Sequence, residues 1–561
     1  MIGVTDPSPL PRDLSAREAP ESMQAAPLRF CVLSDGTELA AWQSAALARL
    51  AALPRVQADG WLIHEPPGGP PAGLDSKALR IAGLAPGTAP RVVHTSDAGA
   101  LSAAEASLIG ARSFDFILSF VSVSAARCFA GVARWGVWQF VFGDWHADRG
   151  RHGAFWAIVR DEPVAQAALV QLQDDPDCVR VLIEGAVRSH AFRAAAHECM
   201  LQERCVHWPA QMCLELQDGR VERLHGPLLR AGPAGKGKRR LGARVRFAAS
   251  AARRAVRENL GMLLLHEQWN IGILDVPIAA LLSGRELPQP RWLPAPRNAE
   301  FYADPFGIVR DGRLHILFER MDYRTGVGSL AVFEADSNAM RPVEIGRAMH
   351  LSYPFLLQHE GRLLCIPETL DANEVALYEP ERFPDRWRRV GALVSGQRLC
   401  DGTVFQHEGR WWLAASRPER RGASCELLLF HAPQLTGPWV AHAANPVKVD
   451  ARSARPAGTP FVSEGVLYRP AQDCAADYGC RVVINRVLTL TERSFREEPC
   501  ALIEPPRSWP YAAGLHTVCA VGDRTIIDAK RKRFIVQQCA QILRFSARKA
   551  LRRWTAARPR P

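Results

Sequence analysis

YADPFGIVRDGRLHILFE (302–319) reads as a short apolar strand, a tight acidic-Gly turn and a second apolar strand, and the chain repeats that pattern four more times. The copies are SYPFLLQHEGRLLCIPE (352–368), CDGTVFQHEGRWWLAAS (400–416), AGTPFVSEGVLYRPAQD (457–473) and GLHTVCAVGDRTIIDA (514–529). Their turn glycines, Gly312, Gly361, Gly409, Gly465 and Gly522, are spaced 49, 48, 56 and 57 residues apart. A hairpin recurring at that period predicts an all-β propeller with one repeat per blade, hence five blades. Many unrelated functions use such a scaffold, so function has to be read from the positions it repeats.

In a propeller the first strand of each blade runs beside the central channel, and a repeated position becomes a ring around it. Eight residues before the turn glycines stand Asp304, Tyr353, Asp401, Ala457 and Gly514; seven after them stand Glu319, Glu368, Ser416, Gln472 and Ala529. Asp is depleted in strands. Asp304 and Asp401 could each cap a turn, but they share one register in two blades, with Glu368 in the blade between. Glycoside chemistry needs such a set: one carboxylate as base or nucleophile, one protonated carboxyl as acid, and often a third that tunes the pair. The expected roles are Asp304 as base or nucleophile, Glu368 as acid and Asp401 as modulator.

Tyr353 and a second cluster in blades four and five, Arg455, Arg469, Gln472, Asp473, Tyr478 and His516, are expected to bind substrate. Arg469 could balance the axial carboxylates or hold a phosphate or acidic sugar with its fork of donors. His516 could carry a proton, ligate a cation or be an ordinary interior histidine. No cofactor and no metal ligand set is expected, and a cation on the axis stays open.

The runs QWNIGIL (268–274), FYADPF (301–306), SYPF (352–355), PET (367–369), FPDRW (383–387), ARPAG (454–458), RPAQDCAADYG (469–479) and GLHT (514–517) recur in order over roughly 265–530. This region resembles the propeller module at the N-terminus of plant glucosamine inositolphosphorylceramide transferases, also found in many bacterial proteins. That module in turn is similar to the five-bladed glycosidase superfamily that includes arabinanases and xylosidases. The resemblance implies sugar chemistry on a glycoconjugate, in bacterial surface-glycan or glycolipid assembly. It does not choose between hydrolysis and transfer.

Residues 28–225 follow a different pattern. Apolar strands at 29–33, 60–64, 91–94 and 115–120 alternate with helical stretches such as 40–53, which predicts an α/β domain with a mostly parallel sheet. The stretch 115–158 resembles the Rossmann-type formyltransferase fold that serves methionyl-tRNA and amino sugars. In that family an Asn-x-His pair closes the second strand, and here the aligned positions are Gln139 and Val141. Valine carries no proton, so general acid–base chemistry is lost there. Asp144, His146 and Asp148 stand close by in sequence, and Asp177 is a candidate for the family's Asp. The expectation is a degenerate domain kept for binding or scaffolding, with formyl or acyl transfer to an amino sugar as an alternative and a non-catalytic glycan-binding scaffold as another.

The remaining segments are 1–27, polar and Pro-rich and expected to be disordered, a basic linker at 226–264 between the two domains (28–225 and 265–529), and a basic tail at 530–561. The 14 cysteines form no CxxC pair and no apolar leader precedes them, which predicts reduced thiols and a cytoplasmic protein. Residues 230–257 hold ten Lys/Arg and 530–561 hold eleven, neither with an acid; setting those 21 aside turns the net charge of +12 into −9. In the linker Val245, Ala249, Ala252, Val256, Leu260 and Leu263 recur at helical spacing beside Arg246, Arg253 and Arg257. In the tail Val536, Cys539, Ala540, Leu543, Ala547, Leu551 and Trp554 do so beside Arg544, Arg548 and Arg552. Basic amphipathic helices favour anionic membrane surfaces. The alternatives are a solvated linker and a tail packed across the domain seam. Nucleic acid is not expected, because no nucleic-acid-binding motif accompanies the charge. The protein is therefore expected to lie in the cytoplasm, peripheral to the inner membrane.

Overall fold

The computed structural model describes residues 26–65, 91–94, 101–189, 194–232, 241–418 and 425–542. The N-terminal unit is built on one eight-stranded sheet: β1 (Leu28–Ser34), β2 (Val56–Glu65), β3 (Arg91–His94), β4 (Phe116–Ser119), β5 (Val137–Phe142), β6 (Val164–Leu172), β7 (Cys178–Arg188) and β8 (Leu228–Arg230). Their spatial order is β3-β2-β1-β4-β5-β6-β7-β8. The first five run parallel, and their central members are buried on both faces, as a helix-covered parallel sheet requires. Phe30, Phe116 and Trp138 stack in file on one face, with centroids 5.2 and 3.9 Å apart. The last three strands are antiparallel. Only residues 173–177 join β6 to β7, too few for the crossover that parallel pairing needs. The mostly parallel α/β sheet read from sequence is present, with an antiparallel meander that the alternation pattern did not show.

Five sheets follow, four of them four-stranded and the third extended by a fifth strand, Lys448–Val449; they are the five-bladed propeller read from the repeats. Blade one is Glu300–Arg310, Arg313–Asp322, Val327–Glu334 and Ala339–Pro342; blade two is Ser352–His359, Arg362–Thr369, Glu374–Arg382 and Arg386–Ser395. Blade three is Cys400–His407, Arg410–Ser416, Glu426–Ala432 and Val440–Ala441; blade four is Phe461–Ser463, Val466–Asp473, Arg481–Leu490 and Phe495–Ile503. Blade five takes its two inner strands, Val518–Val521 and Arg524–Arg533, from the end of the propeller. Its two outer strands, His266–Leu274 and Arg291–Trp292, come from the beginning. This composite blade closes the ring, so no blade edge is left at the seam of the chain. In blades one to four the acidic residue and the glycine of each turn both have positive φ, the two-residue hairpin geometry that matches strand twist.

The two units share a core. Ala451 N–H donates to the Ala186 carbonyl at 2.8 Å, and Gln211 Nε2 donates to the carbonyls of Ala444 and Pro446 at 2.9 and 2.7 Å. Gly185 has to be glycine: a Cβ there would lie 2.2 Å from the Val449 carbonyl. Cys425, Val449, Ala451 and Ala475 of the propeller are buried in the same apolar cluster as Leu182 and Trp208.

The basic linker forms a helix, Leu241–Leu264. Phe247 stacks on Phe155 of the helix Gly153–Val159 at 5.0 Å, and Arg254 reaches Asp161 at 2.8 Å. A short helix begins at 536 after the last strand, and tail residues Leu543, Arg544, Ala547, Arg548, Leu551, Arg552 and Trp554 lie outside the described residues. Among the described residues no helix is long and apolar enough to cross a membrane.

Candidate functional site

Blades one, two and three interrupt their first strand at one shared position. Asp304, Tyr353 and Asp401 have left-handed backbone, with φ of 53°, 44° and 56°. At each, the pairing register to the second strand shifts. Such backbone costs a non-glycine residue roughly 1–3 kcal/mol and persists only where the surroundings impose it. A bulge of this kind re-aims the side chain it carries. Here it delivers both aspartates to the centre of the ring.

The contacts at that centre join all five blades. Asp528, from the second strand of blade five, accepts the backbone N–H of Asp304 at 2.9 Å and those of His516 and Thr517 at 3.0 and 2.9 Å. His516 Nδ1 lies 2.7 Å from Asp528 Oδ2, and its Nε2 lies 3.4 Å from Asp304 Oδ1. The Thr517 hydroxyl donates to Asp304 at 3.0 Å, and Trp269 stacks on the imidazole at 4.0 Å. On the other side Arg455 clasps Asp401 through Nε and Nη2, and Gln472 Nε2 donates to the same carboxylate at 3.2 Å. The Asp401 N–H donates to Glu368 Oε2 at 3.2 Å. Tyr478 lies beneath the Arg455 guanidinium and edge-on to His516. Asp304, Asp401, His516 and Asp528 are buried, whereas Glu368, Arg455 and Tyr478 are half-buried and stand nearer solvent.

Crowding carboxyls in a buried ring sets their ionisation. Burial, with Asp401 and Asp528 adding to it and His516 opposing, raises Asp304 to about 6. Burial and then the Asp401 charge raise Glu368 to about 8, against the pull of Arg455. Glu319, also buried in the ring, is pushed well above the usual carboxylate range by burial and by Asp304 and Glu368. Burial disfavours a charged His516, but Asp528 and Asp304 outweigh it and its pKa is raised. At neutral pH the ring thus holds an ionised Asp304, a protonated Glu368 and a cationic Arg455. Among the described residues, Asp304, His516 and Asp528 also bring one ligand atom each within 4.8 Å of one another and could hold a cation.

The structure brings Asp304, Glu368, Asp401, Arg455, Gln472, Tyr478 and His516 together, but not the rest of the residues expected there. Tyr353 is fully buried; its hydroxyl pairs with Thr403 at 2.8 Å and accepts the Gly458 N–H at 2.7 Å, making it a strut between blades rather than a binding surface. Arg469 is turned into blade four, where Glu497 and the carbonyls of Ser453 and Ala454 take its guanidinium. Its side chain neither balances the axial carboxylates nor offers donors to an anion. Asp473 pairs with Arg481 at 2.7 Å and lines a cavity of about 500 Å³ between the N-terminal unit and blade four. That cavity is off the axis and its charges are matched internally, Arg452 with Asp450 and Arg223 with Glu215 among them, so the axis is the better candidate for chemistry.

In the N-terminal unit Val141 is buried in the core, and Gln139 Nε2 donates to the Val121 carbonyl. Asp144 caps the helix Trp145–Asp148 through the N–H groups of His146 and Ala147. His146 Nδ1 contacts the Arg230 carbonyl; Asp148 pairs with Arg160 and Asp177 with Arg149. Each candidate acid or base there is engaged in local structure.

Sequence reasoning missed Asp528, Thr517 and Lys530. In blade five the two turn residues are 522 and 523, so Gly522 takes the first place, where the other blades have their acid. Counting from that glycine selects Gly514 and Ala529, but the pairing of Gly514 with Lys530 shows that the ring member is Lys530. Lys530 is fully buried, with its ammonium on Glu267 at 2.6 Å, on Asp477 and on the Tyr478 carbonyl. Asp528 carried a usable signal, an acid inside the apolar run 525–529.

Fold and geometry together define a five-bladed propeller with a carboxylate ring at its axis, contributed by blades one, two, three and five. Residues 293–507 match the family described as glucosamine inositolphosphorylceramide transferase 1, N-terminal. This is narrower than the resemblance read from sequence and leaves His516, Asp528 and Lys530 outside it. The chain is 34% identical over 212 residues to glucosamine inositolphosphorylceramide transferase 1 of Oryza sativa subsp. japonica, covering 36% of this chain and 28% of that protein. It is 31% identical over 207 residues to the Arabidopsis thaliana protein of the same name, covering 36% and 27%. The chain therefore spans under a third of the length of these curated relatives. Among solved structures, a family 117 glycoside hydrolase of Zobellia galactanivorans aligns with TM-score 0.31 at 12% identity, over 48% of this chain and 91% of that one. An alpha-L-arabinofuranosidase of Lactobacillus brevis aligns with TM-score 0.29 at 12% identity, over 37% and 80%.

Proposed function

We propose that the propeller axis is a glycosyl-processing site, acting by hydrolysis or transfer on a sugar of a glycoconjugate. One observation carries this reading: Asp304, Glu368 and Asp401 from three successive blades meet at the hub of the ring, where burial and their mutual charge raise Asp304 to about 6 and Glu368 to about 8. At neutral pH one is an acid and the other a base, the division of labour that glycosidic chemistry requires. Glu368 protonates the departing glycosidic oxygen. Asp304 accepts the proton of the attacking hydroxyl or water, or attacks the anomeric carbon itself. The charge of Asp401 adds to burial in raising Glu368, while the Asp401 N–H, donated to Glu368, pulls the other way and positions that carboxyl. The plant relatives are named for glucosamine and inositolphosphorylceramide, which favours an amino sugar and a lipid-linked acceptor within glycan or glycolipid assembly. Formyl or acyl transfer by the N-terminal unit has less support, because Val141 replaces the proton-carrying residue and its polar neighbours are engaged locally.

A panel of nucleotide sugars and aryl glycosides, assayed with wild type and Asp304→Asn, tests the reading. Turnover of one donor, lowered about 10²–10⁴-fold in the variant, is expected. Full activity of the variant would end it. Binding without turnover, unchanged in the variant, would replace it with the non-catalytic scaffold.

A further inference from the structure

The helix Leu241–Leu264 is turned the wrong way round for an amphipathic helix of a globular protein. Such a helix normally buries its apolar stripe and shows its polar face to water. Here the face against the domain carries Phe247, Ser250 and Arg254, with Ser250 and Arg254 buried and Arg254 bonded to Asp161 and the Glu162 carbonyl. The opposite face carries the apolar stripe read from sequence, with Val245, Val256 and Leu260 each more than half exposed. Arg246, Arg253 and Arg257 run along one border of that stripe, and the helix's single acid, Glu258, is half-buried.

The stripe does not end with the helix. Leu264 and Leu265 lead straight into the strand His266–Leu274, whose first residue pairs with Arg533 at the end of the last strand. Ile535 N–H then donates to His266 Nδ1 at 2.9 Å. Exposed Phe534 and Val536 are thereby brought to the corner where exposed Leu264 and Leu265 stand, with Lys532 and Arg533 beside them. The end of the linker helix and the start of the C-terminal tail, far apart in sequence, meet at one apolar corner.

We propose that this face docks on an anionic lipid surface, with the helix lying in the plane of the headgroups. The charge argues for lipid over a second copy of the chain: an arginine-bordered apolar stripe would repel its own twin, whereas anionic headgroups neutralise it and the acyl region takes up the valines and leucines. Attachment is peripheral. It is independent of the chemistry proposed for the axis, and the test below does not measure turnover.

The full-length chain is sedimented with phosphatidylcholine vesicles with and without phosphatidylglycerol. Two variants are compared: Val245→Ser/Val256→Ser/Leu260→Ser and Arg246→Gln/Arg253→Gln. Every altered side chain is exposed, so thermal midpoints should match wild type, which controls for folding. Wild type should bind the anionic vesicles and ignore the neutral ones. The serine variant should bind roughly tenfold more weakly. The glutamine variant, at about fivefold per arginine, should bind about 25-fold more weakly and with a shallower salt dependence. No sedimentation of wild type with anionic vesicles overturns the proposal, as does binding by both variants that equals that of wild type. A dimer that the serine variant dissolves, without vesicle binding, would assign the face to a second copy. Binding to duplex DNA in place of vesicles would assign it to nucleic acid.

Discussion

Asp528 Oδ2 lies 2.7 Å from His516 Nδ1, and both side chains are sealed from solvent at the hub of the propeller. The same carboxylate accepts three backbone N–H groups, from Asp304, His516 and Thr517. Asp528 thus sets both the charge of the imidazole and the backbone that carries Asp304. Replacing it with Asn turns an amide N–H₂ toward existing donors and leaves the imidazole without its strongest charge partner. Asp528→Asn should destabilise the fold by roughly 3–5 kcal/mol, read as a lower denaturation midpoint. Its His516 resonance should titrate at lower pH than in wild type; an unchanged titration would separate the two residues functionally.

For the proposed glycosyl reaction, rate should follow a bell in pH. Asp304 has to be ionised, so activity rises as pH climbs through about 6; Glu368 has to be protonated, so activity falls above about 8. The acidic limb should disappear in Asp304→Asn and the alkaline limb in Glu368→Gln. A profile with neither limb near those values would mean that other groups do the work.

Stability should depend on pH with the opposite sign to that of an ordinary salt-bridged carboxylate. Glu368 and Asp304 both bind their protons more tightly folded than unfolded. Their contribution is fully present below the unfolded values near 4 and is lost as pH rises through about 6 for Asp304 and about 8 for Glu368. Glu368→Gln, which stays neutral, should flatten this fall and be more stable than wild type at pH near 9, by on the order of a few kcal/mol. Denaturant midpoints between acid and mildly alkaline pH measure it.

Two arginine–carboxylate pairs, Arg455 with Asp401 between blades three and four and Arg469 with Glu497 inside blade four, should behave differently. Breaking either one, by Arg455→Met or Glu497→Gln, should cost roughly 3–5 kcal/mol of stability because a buried charge loses its partner. Arg455 also lowers the pKa of Asp304 and of Glu368. Only Arg455→Met should therefore move both limbs of the pH–rate profile upward. A matching shift in Glu497→Gln would mean that the Arg469 pair is coupled to the axis after all.

The repeat was legible because each blade writes the same local pattern, and a two-residue turn with an acid and a glycine fixes its register. Asp304, Glu368 and Asp401 stood out because their two ring positions gather polar residues, whereas most other blade positions repeat as apolar. Arg469 was misread for a reason of geometry. An arginine after an apolar strand is bound to be buried and paired, but the sequence does not say whether it faces the axis or the blade interior, and Glu497, its partner, lies 28 residues away. Tyr353 was placed at the right ring position and given the wrong task, since its bond to Gly458 spans 105 residues.

The sequence alone determined the number of blades, the parallel half of the N-terminal sheet, the amphipathic linker helix and three of the ring's acids. These depend on periodicity and on residues near one another in the chain. Tertiary structure alone decided that Asp528 and His516 meet Asp304, because the ring closes by pairing the propeller's first strand with its last. It also decided that the linker helix shows its apolar stripe to the outside and that the end of this helix meets the start of the tail at one corner. Periodicity establishes that a helix has two faces; which of them is buried depends on what the rest of the chain packs against it.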